Sequence, residues 1–229
     1  MNEKIMIFHH DKWFLLDTVF QPIFKNVQVS IVAYEALARI YDLSGERVSN
    51  EIIRSFSDAT LKRIFLYQLD LVKSLNFEKV VSLNIGFAQL EDKYFVDEII
   101  KRKYSSIALE INEEDNDMKT VRLMDNVCLL RERGMEFWMD DYDPYIELCN
   151  AALVSFPWDR VKIDKRIVHD YFNRDDVVFL LAILSKFCEK GVIFEGVETN
   201  RHDHLLMDLS CYVQGYYYSS PLSIASLSL

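Results

Sequence analysis

Short apolar runs alternate with stretches of helical spacing along the chain, and this constrains the fold more than any other feature of the sequence. The runs are WFLLDTVFQPIF, VSIVAYEAL, VVSLNI, IALEI, EFWMDD, RVKID, VIFEGVE and CYVQGYYY, eight candidate strands. Between them, Leu123, Val127 and Leu130 recur at i, i+4, i+7, with Gly134 as a stop. In NRDDVVFLLAILSKFCEKG, Val177, Leu181, Leu184 and Cys188 share a face, with Asn173 as N-cap and Gly191 as the stop. Residues 50–75 carry helical spacing through Ile53, Phe56, Ile64 and Phe65. Strand alternating with helix predicts a largely parallel sheet. Eight such units without a linker predict a single α/β domain over residues 1–229, a (β/α)8, TIM-barrel-like fold. An open doubly wound sheet is the alternative, but no GxGxxG or GxxxxGK[ST] supplies its usual phosphate cradle.

Chemistry in such barrels gathers at the C-terminal ends of the strands. Reading those ends gives Glu35, Asn84, Glu110, the pair Asp140 and Asp141, Lys162, Glu195 with Glu198, and Gln214. Taken singly, each has an ordinary reading: a helix cap, a solvated turn or an outward-facing strand residue. Together they are harder to dismiss, because Glu, Asn and Lys are poor strand residues. Here they interrupt apolar runs at matching places in successive strands. Parity adds that Glu35, Leu37 and Arg39 alternate onto one face, as do Lys162 and Asp164.

Six carboxylates and one lysine in one small space would not stay ionised without further positive charge. Two divalent cations would balance them, and an all-oxygen ligand set selects Mg²⁺, Mn²⁺ or Ca²⁺ over the ions of thiolate- and imidazole-rich sites. Paired cations suit in-line displacement at phosphorus. The histidines do not compete: His9, His10, His169, His202 and His204 read as surface residues. Tyr216, Tyr217 and Tyr218 read as strand packing.

The net charge of −10 argues against a DNA or RNA surface, though not against a phosphate ligand met by local cations. The longest apolar run, VVFLLAIL, is too short to cross a membrane, and the N-terminus has no signal-peptide pattern. Four cysteines without a CxxC pair suit free thiols, so a cytoplasmic location is expected.

At these residues the sequence resembles the EAL family of cyclic di-GMP phosphodiesterases. Glu35-Ala36-Leu37 stands inside YEALAR, preceded by QPI from Gln21. LNI, the pair Glu110 and Glu113, DDY, VKID, EGVET and QGYY follow in the family's order, from about residue 14 to 222. The resemblance implies a (β/α)8-like barrel with an antiparallel first strand. It also implies Glu35, Asn84, Glu110, Asp140, Asp141 and Glu195 as metal ligands, with Glu195 as general base and Lys162 positioning the water. Gln21, Leu37, Arg39, Glu198 and Gln214 match residues that hold or border the dinucleotide, and Glu113 matches a loop anchor. Two cations, Mg²⁺ or Mn²⁺, are the implied cofactors, linear pGpG is the implied product, and family members commonly dimerise, so a homodimer is left open.

One stretch departs from the family. Where the family reads DDFGTGYS, this chain reads DDYDPYIE, and Pro144 bars the glycine conformations of that loop. Two further readings follow: a degenerate member that binds cyclic di-GMP or a protein without turnover, and a barrel glycosidase. The second needs only two carboxylates and leaves Lys162 and the other acids unexplained.

Overall fold

The computed structural model describes residues 4–102, 104, 106–112, 120–171 and 173–227. Its strands, in chain order, are β1 (Ile5–His9), β2 (Lys12–Lys25), β3 (Ser30–Tyr41), β4 (Val80–Asn84) and β5 (Ile107–Asn112). They continue as β6 (Glu136–Tyr142), β7 (Arg160–Ile163), β8 (Val192–Phe194) and β9 (Tyr212–Val213). They hydrogen-bond in that same order, and β9 pairs back onto β2, closing β2 to β9 into an eight-stranded barrel. Strands β3 to β9 are parallel, whereas β2 runs antiparallel to both its barrel neighbours. The (β/α)8-like barrel with a reversed first strand is the fold observed.

Helices α1 (Asp58–Leu75), α2 (Phe87–Glu91), α3 (Lys93–Lys101), α4 (Val121–Arg131), α5 (Glu147–Ser155), α6 (Arg174–Leu184) and α7 (Asn200–Leu206) fill the connections. Side-chain caps start several of them: Ser57 accepts from the Thr60 amide, Thr120 from Leu123 and Asn173 from Asp175 and Asp176. Each such cap stabilises its helix by about 1 kcal/mol.

Several expectations need correction. IMIFH, assigned no element by periodicity, forms β1, an antiparallel partner to the first half of β2. Helix α6 stops at Leu184, before the expected Gly191; Gly191 instead adopts φ +98° just ahead of β8. Val177, Leu184 and Cys188 are buried as expected and Leu181 packs partly buried against them, while Leu180, not assigned to that face, is buried as well. VIFEGVE and CYVQGYYY each hold only a two- or three-residue strand. Tyr216 and Tyr217 are exposed beyond β9, while Tyr218 stacks on Phe24 and meets the Tyr217 ring edge-on.

The barrel interior is filled in layers. Trp138 lies across it with Ile23, Ala33, Ala108 and Ile193, all buried, as an apolar plug. The opposite strand faces, including Val81, Leu83, Leu109, Phe137, Val161 and Phe194, pack against the helices. Because strand side chains alternate, the next inward position lies two residues beyond each plug residue. Those positions are Glu35 after Ala33, Glu110 after Ala108, Asp140 after Trp138 and Glu195 after Ile193. The apolar floor and the acidic layer are products of one register.

Candidate active site

Three carboxylates from β3, β5 and β6 and a fourth just past the end of β8 meet one ammonium. Lys162 Nζ stands 2.5 Å from Glu110 Oε1, 2.6 Å from Glu195 Oε1, 3.0 Å from Asp140 Oδ1 and 3.3 Å from Glu35 Oε2. Gln214 Nε2, reaching in from the end of β9, donates to Glu35 Oε2 at 2.7 Å. Lys162, Glu110 and Gln214 are almost wholly removed from solvent.

The charges do not balance, and ionisation shows where. Burial works against a charged Lys162, but Asp140, Glu110, Glu195 and Glu35 outweigh it and hold the amine charged, well above its ordinary range. Burial likewise raises Glu35, but Lys162 and the Gln214 amide overcome it and keep that carboxyl below the usual value. Glu110 is pushed well upward by burial and by the Glu35 charge. Burial, with the Asp140 charge added, takes Asp141 to about 7. Burial also takes Glu195 to about 8, against the opposing pull of Lys162. One lysine therefore cannot keep all five acids ionised at neutral pH.

The donor set fits a cation. Asp140, Asp141 and Glu195 each present an oxygen within 4.8 Å of the others. Glu110 Oε2 is buried with no hydrogen-bond partner, so one carboxylate oxygen has its lone pairs unclaimed. Every ligand-type atom here is oxygen, which suits hard divalent ions.

Adjacent residues on a regular strand point to opposite faces, so Asp140 and Asp141 could not both enter the site from an ideal β6. The β6–β7 register shifts between Met139 and Tyr142, and Asp141 takes a left-handed backbone at φ +51°. This bulge turns the second carboxylate inward, and Asn112 Nδ2 holds it by donating to Asp141 Oδ2 at 2.9 Å.

The remaining sequence-predicted residues surround this centre. Asn84 pairs in register with Glu110 and faces a cavity of about 600 Å³ also lined by Leu37, Arg54 and Phe65. Gln21 stands opposite Glu35 on β2, and Arg39 is half-buried two positions beyond Leu37 on the same face. Glu198 is exposed, three residues past Glu195 and outside the Lys162 contacts. Glu113 lies outside the described residues.

Some contributors were not singled out from sequence. Asn112 carried a readable signal, since it follows Glu110 by two on the same strand face. Gln68, buried on α1, donates to the Ala36 carbonyl behind Glu35 at 3.4 Å, and nothing in its helical spacing marks it. The divergent β6–α5 loop closes on itself. Buried Asp143 accepts from the Tyr145 amide at 2.8 Å and lies 3.7 Å from Arg166, which also grips Asp164. His169 and His202, expected at the surface, are half-buried against each other.

Fold and site together define an α/β barrel with an acidic, cation-fitting centre at the C-terminal ends of its strands. Sequence comparison names the class more closely: the chain matches the EAL domain over residues 9–221 and belongs to the EAL-domain family. It is 26% identical over 211 residues to the cyclic di-GMP phosphodiesterase TpdA of Vibrio parahaemolyticus, covering 86% of this chain and 36% of that protein. An EAL domain protein from Listeria monocytogenes superimposes with a TM-score of 0.76 at 19% identity, covering 92% of this chain and 90% of that one. BlrP1 of Klebsiella pneumoniae, in a manganese and cyclic di-GMP complex, gives 0.71 at 20% identity, covering 90% of this chain and 56% of that one. At those identities the structural likenesses establish the fold. The chain spans between 25% and 36% of the length of the curated relatives it matches. Among the described residues, no helix is long and apolar enough to cross a membrane.

Proposed function

We propose that this chain is a metal-dependent phosphodiesterase that opens one phosphodiester bond of cyclic di-GMP to give linear pGpG. The observation that carries the reading is the site's unbalanced charge: four carboxylates contact a single lysine, a fifth, Asp141, stands beside Asp140 and Glu195, and one buried carboxylate oxygen has no partner. Family membership and a phosphodiesterase among the relatives support the substrate.

Glu35, Asn84, Glu110, Asp140, Asp141 and Glu195 would hold two divalent ions, Mg²⁺ or Mn²⁺. When bound, such ions polarise the phosphoryl oxygens and make water a better nucleophile. Glu195 is the general base: its carboxylate, ionised once cations occupy the site, accepts the proton of the attacking water. Lys162, fixed by four carboxylates, keeps its charge and offsets negative charge gathering on the phosphate. Gln21, Arg39 and Gln214 orient the dinucleotide, with Leu37 as an apolar wall and Glu198 at the rim.

Purified protein with Mn²⁺ or Mg²⁺ is expected to convert cyclic di-GMP to pGpG. Glu195→Gln should lower turnover by about 10²-fold or more while binding persists. A wild type that binds tightly but turns nothing over in either metal would favour the second reading, a cyclic di-GMP sensor. The self-closed Asp143-Pro144-Tyr145 loop beside Asp140 and Asp141 is the feature that favours it.

A further inference from the structure

Strand β8 ends at Phe194, and Glu195 follows, its amide donating to the Ile163 carbonyl at 3.3 Å. The next residues would be free to swing the Glu195 carboxylate unless something held them. One side is held by the turn after β9: the Val197 amide donates to Gln214 O at 3.1 Å, and the Tyr217 amide to Val197 O at 2.9 Å. The other side meets two histidines. His169 Nε2 lies 2.7 Å from the Gly196 carbonyl, and His202 Nδ1 lies 3.2 Å from the Glu198 amide. The two rings stack with centroids 4.5 Å apart.

The tautomers follow from the partners. The Gly196 carbonyl only accepts, so His169 Nε2 carries a proton and donates. His202 Nδ1 lies between the Glu198 amide and, at 3.3 Å, the Gly196 carbonyl; because that carbonyl already accepts the proton of the closer His169 Nε2, we assign His202 Nδ1 as unprotonated and accepting from the amide. Gly196 itself sits at φ +65°, where a Cβ would collide with the Lys165 side chain and crowd His169 Nε2. His169 belongs to a π-helical turn, Ile167–Tyr171, a local irregularity that aims its ring at the segment. Both rings thus bond the two backbone groups flanking Val197, directly after the proposed base.

We propose that His169 and His202 are positioning residues for Glu195: the stacked pair clamps the Gly196 carbonyl and the Glu198 amide, and so fixes the Glu195 carboxylate over Lys162. This rests on the reading of Glu195 given above. Neither ring touches the reacting atoms.

The test compares substitutions that keep or remove the hydrogen bond, read by Mn²⁺ titration (free Mn²⁺ by paramagnetic resonance) and by turnover. His169→Leu and His202→Leu are each expected to weaken Mn²⁺ binding about tenfold and lower kcat similarly, with KM for cyclic di-GMP changed less than about twofold. His169→Gln, which keeps a donor, and His202→Gln, which keeps an acceptor, should recover most of both. Leu and Gln variants that fall equally, or that match wild type, would overturn the proposal. Should the Leu variants not fold, the Gln variants decide alone: near-wild-type Mn²⁺ affinity supports the clamp and a tenfold loss overturns it. A wild type that binds Mn²⁺ without turnover would remove the phosphodiesterase reading, yet the titration would still decide the role of the histidines.

Discussion

Glu110 is nearly inaccessible to solvent, sits 2.5 Å from Lys162 and leaves one oxygen without a partner. A residue kept for stability would not be left so, because an unsatisfied buried polar atom costs about 1–3 kcal/mol. Glu110→Gln removes the charge and keeps the shape. The metal-free variant is expected to melt at or above the wild-type temperature at pH 8, while its Mn²⁺ affinity falls at least about tenfold. A clearly lower melting temperature would show that the carboxylate is structural. The raised acids give a pH dependence whose sign is fixed. Asp141 near 7 and Glu195 near 8 bind protons more tightly folded than unfolded. Their contribution to metal-free stability is therefore full below the ordinary carboxyl range and is lost as pH rises through 8. A cation must displace those same protons, so Mn²⁺ affinity should climb from about pH 6 to pH 8 and level off above, with proton release on binding. Calorimetry in buffers of differing ionisation enthalpy measures that release, and a pH-independent affinity would contradict it.

At the scale of elements, most of the site was readable because a strand has a two-residue period. Placing Glu110 inward also places Asn112 inward and Leu109 outward, and the pattern of charge in apolar runs carries that information. The bulge in β6 was not readable. Nothing in EFWMDDY tells a solvated second aspartate from one turned inward, since the difference lies in one backbone angle and in the Asn112 hydrogen bond. Asn112→Ala should release Asp141 and weaken Mn²⁺ binding about tenfold with little change in melting temperature. Unchanged affinity would mean the bulge holds Asp141 unaided. The ends of elements were also hidden. Periodicity continues past Leu184 toward Gly191, yet α6 stops at Leu184 and the Ser185 amide bonds back to the Leu181 carbonyl. Strand β1 escaped notice because five residues and the two-residue turn His10-Asp11 leave too little period to detect; positive φ at both turn residues makes the hairpin.

For the whole molecule, strand–helix alternation pointed to a barrel, but not to the direction of its first strand. The reversal of β2 is a long-range property: it depends on which strand β2 meets at closure, and only the resemblance to the EAL family carried it. Closure is also what brings Glu35, from the start of the barrel, within 2.7 Å of Gln214 from its end, 179 residues apart in the chain. The central claim is that this convergence exists to hold hard cations that act on a phosphodiester, and metal-switched turnover tests it most directly. Protein stripped with EDTA, given cyclic di-GMP, and then supplied with Mn²⁺, Mg²⁺ or Ca²⁺ would be followed by chromatography of pGpG. Product is expected with Mn²⁺ and Mg²⁺, little with Ca²⁺, whose looser coordination places water poorly, and none in EDTA. Equal rates in EDTA, or turnover in Ca²⁺ matching that in Mg²⁺, would contradict the role given to these carboxylates.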